Sequence, residues 1–212
     1  ILIRHTESEW NACGVWTGIA DIGLSEKGRE DSLHVGKKLK ELGIKIDVAF
    51  YTNLCRTEET LHGICEVLQD DGIKLVCDNS MMERDYGQYT GQDKWKMKEE
   101  LGEEQWQKIR RGWDEFVPNG ESLKDVYNRV VPEYQDKVLP LLREGKNVLL
   151  VGHGNSFRAL MKYLESISDE DISRVEMMIN QIVIYDIDLQ TGLSRTGKTI
   201  MVDTPTGQSK LA

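Results

Sequence analysis

Short apolar runs that end in polar residues recur along this chain. Ile1-Leu2-Ile3 leads into Arg4-His5, and Val148-Leu149-Leu150-Val151 leads into Gly152-His153. Runs this short, rich in branched residues, read as strands buried on both faces. Residues 46–51, 73–77 and 182–188 have the same character. Between them, apolar positions fall at helical spacing. One helix opens after Ser25 as its N-cap, carries Leu33, Leu39 and Leu42, and ends before Gly43. A second carries Leu54, Leu61, Ile64, Cys65 and Leu68 and stops near Gly72. Ser122-Leu123-Lys124-Asp125 resembles a capping box and opens a long helix to about Leu142, which Pro132 should kink. Two more helices are expected after residue 152, with Ser168 capping the second, and residues 5–24 read as loop with at most one helical turn.

Alternating strands and helices predict an α/β fold with a largely parallel sheet. Gln190-Thr191-Gly192 predicts a turn into a last, hairpin-like strand near 199–202. The expectation is therefore a three-layer α/β/α arrangement around a mixed, mostly parallel sheet. Residues 79–121 break the pattern. They hold Gly87 and Gly91, a charged stretch with tryptophans over 94–113, and Pro118-Asn119-Gly120. This reads as an insertion of loops and short helices, and an irregular segment of that length is often a lid or a binding wall. With no repeat and no linker, residues 1–212 read as one domain, and the polar tail 204–212 reads as mobile.

Composition narrows the function. The 212 residues carry a net charge of −9 with no basic stripe, which argues against a nucleic-acid binder. No apolar stretch approaches the ~20 residues of a membrane helix. No secretory leader or N-x-S/T sequon is legible, and the absence of an initial methionine suggests a few residues upstream. Cys13, Cys55, Cys65 and Cys77 lack CxxC, metal-like and C-x5-R spacing, so reduced and mostly buried thiols are expected. These features point to the cytoplasm.

Gly192 to Thr199 matches the phosphate-loop pattern GxxxxGK[ST], but the β-favouring Ile200-Met201-Val202 follows where that loop needs a helix. The histidines are more informative. Ligands of open α/β sheets bind past the carboxyl ends of the strands. His5 and His153, about 150 residues apart, are thus expected in one crevice. A neutral imidazole can attack phosphorus and hold the phosphoryl group. Arg4 would neutralise its oxygens, and Asn11 could donate to them. Glycines on both sides of His153 allow close approach to a ligand. Arg56 and Arg84 follow strands on the same edge, and Glu83 is the candidate general acid. The pattern points to phosphoryl chemistry without a metal.

Arg4-His5-x-Glu7-Ser8-x-Trp10-Asn11, Thr17-Gly18, Leu54-x-Arg56, Glu83-Arg84-x-Tyr86-Gly87, Asn119-Gly120-Glu121-Ser122-Leu123 and Gly152-His153-Gly154-Asn155-Ser156 together resemble the histidine phosphatase superfamily. Within it the chain is similar to the cofactor-dependent phosphoglycerate mutases, whose marks are Glu83 to Gly87, Lys94 and the Arg110-Arg111 doublet. The resemblance implies that His5 carries the phosphoryl group, with Arg4, Arg56, His153 and Asn11 as its pocket and Glu83 as acid and base. It implies that Ser8, Thr17, Gly18, Arg84, Tyr86, Lys94, Arg110, Arg111, Gly154 and Asn155 bind substrate. The substrates would be 3-phosphoglycerate and 2-phosphoglycerate, with 2,3-bisphosphoglycerate as primer, no metal, and a monomer or small homo-oligomer. The alternative is a histidine phosphatase acting on a small phosphorylated acid or sugar, bisphosphoglycerate included. Three departures stand out. Thr6 replaces a glycine, so that it is either strained or adds a phosphate contact; Asp85 replaces a histidine beside the substrate; and Ile179-Asn180-Gln181 replaces a Gly-Val-Pro turn.

Overall fold

The computed structural model describes residues 1–201, and the tail expected to be mobile lies outside them. Six strands form one sheet: β1 (Leu2–Arg4), β2 (Val48–Tyr51), β3 (Lys74–Cys77), β4 (Val148–Gly152), β5 (Ile182–Ile187) and β6 (Ser194–Met201). Their order is β3-β2-β4-β1-β5-β6. The pairs β3-β2, β2-β4 and β4-β1 are parallel, and β1-β5 and β5-β6 are antiparallel. The mixed sheet is thus as expected.

Alternation along the strands sorts side chains to two faces. Leu2, Val48, Phe50, Val148 and Leu150 join a core with helices α6 (Leu123–Glu133) and α8 (Gly154–Leu164). Ile3, Ala49, Leu149 and Val151 join another with α2 (Glu26–Glu41) and α3 (Cys55–Leu68). Ser25 caps α2 by accepting from the Gly28 amide at 3.0 Å. The capping box of α6 is present, with Asp125 Oδ2 accepting from the Ser122 amide at 2.9 Å and Ser122 Oγ accepting from the Asp125 amide at 3.1 Å.

Several elements differ from expectation. The helix after Ser122 does run on to Arg143, but residues Tyr134–Val138 form a π-turn before α7 (Leu139–Arg143). Pro132 cannot donate to the preceding turn, and a wider turn absorbs such a misfit. The helix expected after Ser168 is only a 3-10 turn, Asp171–Arg174; a single buried apolar residue, Ile172, gives it no face to bury. The last strand starts earlier, at Ser194, so the phosphate-loop-like residues 192–199 lie in a hairpin and its edge strand. None of the four thiols is buried: Cys13 and Cys77 are exposed and Cys55 and Cys65 half-buried, Cys77 because it sits on the edge strand β3.

The 79–121 segment folds over the sheet's carboxyl edge. Its helices α4 (Lys94–Leu101) and α5 (Glu103–Arg111) share a small core of Met97, Trp106, Ile109 and Val117 with Trp16 from the loop after β1, near α1 (Glu9–Ala12). Gly87 allows the tight fold there. Its φ is +49°, and a Cβ would come within 2.1 Å of the Pro118 carbonyl oxygen.

Helices α2 and α3 approach closely through Gly63, where a Cβ would lie 2.0 Å from Ser32 Oγ and 2.8 Å from Ser32 Cβ. Gly63→Ala is expected to overpack this seam by about 2 kcal/mol. That lowers Tm by roughly 4–8 °C, measurable by calorimetry; an unchanged Tm would show that the helices are not held at this spacing.

Candidate active site

Strand register builds the centre of the site. Arg4 of β1 lies opposite Gly152 of β4, and the His5 amide donates to the Gly152 carbonyl at 2.9 Å. The next residues, His5 and His153, therefore meet with ring centroids 5.4 Å apart at an interplanar angle of 62°. His5 Nδ1 donates to the Thr6 carbonyl at 2.7 Å. The proton is thereby placed on Nδ1, and Nε2 keeps its lone pair. Burial, then Arg56 and Arg4, hold the His5 imidazole well below the usual histidine range. Burial, then Arg56 and His5, do the same to His153. Both rings are neutral. His153 Nε2 bonds Thr52 Oγ1 at 3.0 Å, while its buried Nδ1 has no partner.

A cleft opens here, lined by Arg4, His5, Asn11, Thr17, Gly18, Arg56, Glu83, Tyr86, Lys94, Arg110, Arg111, Gly154 and Asn155. Of the expected residues, Ser8, Arg84 and His153 are off this wall, and His153 packs against His5. Trp16, Arg158, Met177 and Ile179 complete the wall. Six cationic side chains and one carboxylate face this space in a protein of net charge −9.

The cations are aimed by backbone carbonyls. Arg56, in the first turn of α3, donates to Ala20 at 2.8 Å and Gly18 at 2.7 Å. Arg4 donates to Met177 at 2.8 Å, and a Cβ at residue 154 would sit 3.3 Å from its guanidinium carbon, so glycine there gives it room. Nε of both arginines is buried without a partner. Arg110 stacks on Trp106 at 4.3 Å, and Arg111 pairs with Glu176. Burial pushes Arg56 down to about 10 and Lys94 down to about 8, with Arg4 and Arg110 adding to the Lys94 shift. Such a collection is unfavourable without an anion.

Glu83 supplies the one carboxylate. Its Oε1 accepts from the Arg84 amide at 2.8 Å and from the Asn155 amide, in the first turn of α8, at 3.1 Å. The helix N-terminus favours negative charge there. Asn11 spends Oδ1 on the α1 cap, accepting from Ser8 Oγ at 2.9 Å, and keeps its Nδ2 for a ligand.

Four expectations need correction. Arg84 does not line the cleft: it is fully buried, donating to the Ile109 carbonyl at 2.7 Å and to the Glu121 carbonyl, with its guanidinium over the Tyr86 ring. Ser8 is also off the wall, spent on its cap. Thr6 is neither strained nor a phosphate contact. Its φ is not positive, and its hydroxyl donates away from the cleft to the Gly28 carbonyl at 2.7 Å. Asp85 turns onto its own loop and accepts from the Gly87 amide at 2.8 Å, outside the cleft wall.

Sequence reasoning passed over Arg158. It donates to Asn155 Oδ1 at 2.9 Å and to the carbonyls of Val175, Ile172 and Arg111 at 2.8, 2.9 and 2.8 Å. Its place three residues after Asn155 on one helix face was the available signal. Thr52, the partner of His153, was also missed; it directly follows strand β2 at the same edge.

Comparisons with known proteins give the family. Residues 1–196 match the family model of the histidine phosphatase superfamily (branch 1). The chain is 38% identical over 201 residues to a 2,3-bisphosphoglycerate-dependent phosphoglycerate mutase of Bartonella henselae, covering 95% of this chain and 97% of that one. It is 38% identical to a protein of Lactiplantibacillus plantarum described as 2,3-bisphosphoglycerate-dependent phosphoglycerate mutase 2, covering 89% and 93%. In fold it is similar to a mycobacterial glucosyl-3-phosphoglycerate phosphatase, with a TM-score of 0.74 at 19% identity over 92% of this chain and 94% of that one.

The two neutral rings have a consequence for stability. Their folded pKa values lie below the ordinary ~6.5, so the unfolded chain binds these protons first as pH falls. The stability they contribute is present above about pH 6.5 and is lost below it. The urea midpoint should therefore fall more steeply between pH 7.5 and 5.5 in the native chain than in His153→Gln. Parallel profiles would mean that His153 titrates alike in the folded and unfolded chain.

Proposed function

Because the chain belongs to the histidine phosphatase superfamily, we propose that the cleft is the active site of a phosphoglycerate mutase, interconverting 3-phosphoglycerate and 2-phosphoglycerate through phosphorylated His5. The observation that carries this is the neutral, buried His5 whose Nδ1 is tied to Thr6, leaving Nε2 as nucleophile among arginines. Nε2 attacks phosphorus. Arg4, Arg56, Asn11 and His153 meet the phosphoryl oxygens as charge develops on them. Glu83 gives a proton to the departing oxygen and takes one back when the group returns at the other hydroxyl.

Lys94, Arg110, Arg111 and Tyr86 receive the carboxylate and the second phosphate. An enzyme that returns the phosphoryl group must retain the doubly phosphorylated species while it reorients. These extra cations support the mutase over a simple phosphatase. The partnerless Nε atoms of Arg4 and Arg56 and Nδ1 of His153 fit a polyanion. When bound, 2,3-bisphosphoglycerate supplies the phosphoryl group that primes His5. Such an activity belongs to glycolysis, and with it we read the protein as cytoplasmic.

The test is 2-phosphoglycerate formation from 3-phosphoglycerate, coupled to enolase, with and without 2,3-bisphosphoglycerate. Primer-dependent turnover is expected, with His5→Ala reducing it by at least ~10³-fold. Release of inorganic phosphate without 2-phosphoglycerate would make the protein a phosphatase, and activity in His5→Ala would remove the phosphohistidine route.

Lys94 adds a pH dependence. With its pKa pushed down to about 8, it is charged below that pH and loses its charge above it. The KM for 3-phosphoglycerate should rise above pH 8 in the native enzyme and stay level to about pH 9.5 in Lys94→Arg, whose guanidinium does not titrate there. Identical profiles would place the alkaline group elsewhere.

A further inference from the structure

Arg129 of α6 does not line the cleft. Its fork is turned instead toward the segment that carries Glu83. Nη1 donates to the Ser80 carbonyl at 2.8 Å and Nη2 to the Glu83 carbonyl at 3.0 Å. Nε and Nη2 also grip Glu121, at 2.8 Å to Oε1 and 2.9 Å to Oε2. Glu121 in turn holds the other side of Glu83. Its Oε2 accepts from the Asp85 amide at 2.9 Å, its amide donates to the Asp85 carbonyl at 2.8 Å, and its carbonyl accepts from Arg84 Nε. One ion pair therefore fixes the backbone before, at and after Glu83.

We propose that the Glu121–Arg129 pair is the positioning device for Glu83, setting the reach of its carboxyl to the departing oxygen while leaving phosphate binding alone. The inference rests on the reading of Glu83 as general acid. In the step concerned, the bond from His5 Nε2 to phosphorus forms and the bond from phosphorus to the substrate oxygen breaks. The carboxyl proton passes to that oxygen, and Glu83 is left as carboxylate.

The physics separates this role from plain stabilisation. A partly solvent-screened ion pair adds little to stability, and these two side chains are 27% and 26% exposed. Geometry is another matter. A proton donor must lie within ~2.6–3.2 Å of its acceptor, and a 1 Å misplacement can cost about 10²-fold in rate. Lysine keeps the charge of arginine but not its planar fork, and cannot hold Ser80, Glu83 and both Glu121 oxygens together.

The test compares two phosphoryl donors in single-turnover experiments on the full chain. Labelled 2,3-bisphosphoglycerate has a strongly basic alkoxide leaving group that needs the proton. p-Nitrophenyl phosphate has a weakly basic one that does not. Arg129→Lys is expected to slow His5 phosphorylation from bisphosphoglycerate by roughly 10- to 100-fold, and from p-nitrophenyl phosphate by about twofold or less. Glu121→Gln should give the same asymmetry and carries the test if Arg129→Lys does not fold. Glu83→Gln run alongside separates the two readings. An asymmetric loss there with a symmetric loss, or none, in Arg129→Lys and Glu121→Gln overturns the positioning role. A symmetric loss in Glu83→Gln overturns Glu83 as the acid, and the positioning role with it.

Discussion

The hydrogen bond from His5 Nδ1 to the Thr6 carbonyl settles which ring nitrogen can react, and the site depends on it. That bond is only as firm as the turn that presents the carbonyl. The Thr6 amide donates to Thr60 Oγ1 at 3.1 Å, and its hydroxyl donates to the Gly28 carbonyl, so the turn is tied to α3 and α2 at once. Thr60 in turn donates to the Arg56 carbonyl at 2.6 Å. The turn that orients His5 and the helix that presents Arg56 are thus parts of one buried network.

Charge is organised on the same plan. Arg4, Arg56 and Arg158 are aimed by main-chain carbonyls, which fix a guanidinium without neutralising it. Of the arginines on the cleft wall, Arg111 has a carboxylate partner, Glu176. The remaining charge stays uncompensated and desolvated, which keeps the histidines neutral and favours an anionic occupant. The scaffold takes up the cost of bringing these cations together, and a bound anion offsets it.

The sheet, its mixed pairing and the strand ends were legible in the sequence because apolar runs and turn residues are local signals. The meeting of His5 and His153 followed from a rule about strand ends. What could not be read was direction. Arg84 follows Glu83 in sequence, yet it turns inward to hold α5 while Glu83 faces the cleft. Thr6 and Asp85 looked like departures at the reacting centre, but their side chains satisfy neighbouring backbone groups instead. The π-turn after Pro132 and the collapse of the helix after Ser168 depend on tertiary packing that periodicity does not carry. Arg158 and Thr52 carried weaker local signals, three residues after Asn155 and directly after β2, because most of their partners lie far away in sequence.

The position of β1 has a consequence for synthesis on the ribosome. It lies between β4 and β5, and its partners are residues 148–152 and 182–187. The earliest strand of the sheet to emerge is therefore among the last to find neighbours. At about 5–20 residues per second, Leu2 to Arg4 wait roughly 10–40 seconds with both edges open. During that time β2 and β3 and their helices can pair without them. His5 at the end of β1 thus finds its place only once the strands at 148–152 and 182–187 have emerged. A truncated nascent chain would present a sticky apolar strand for chaperones to hold and no premature copy of the cationic cleft.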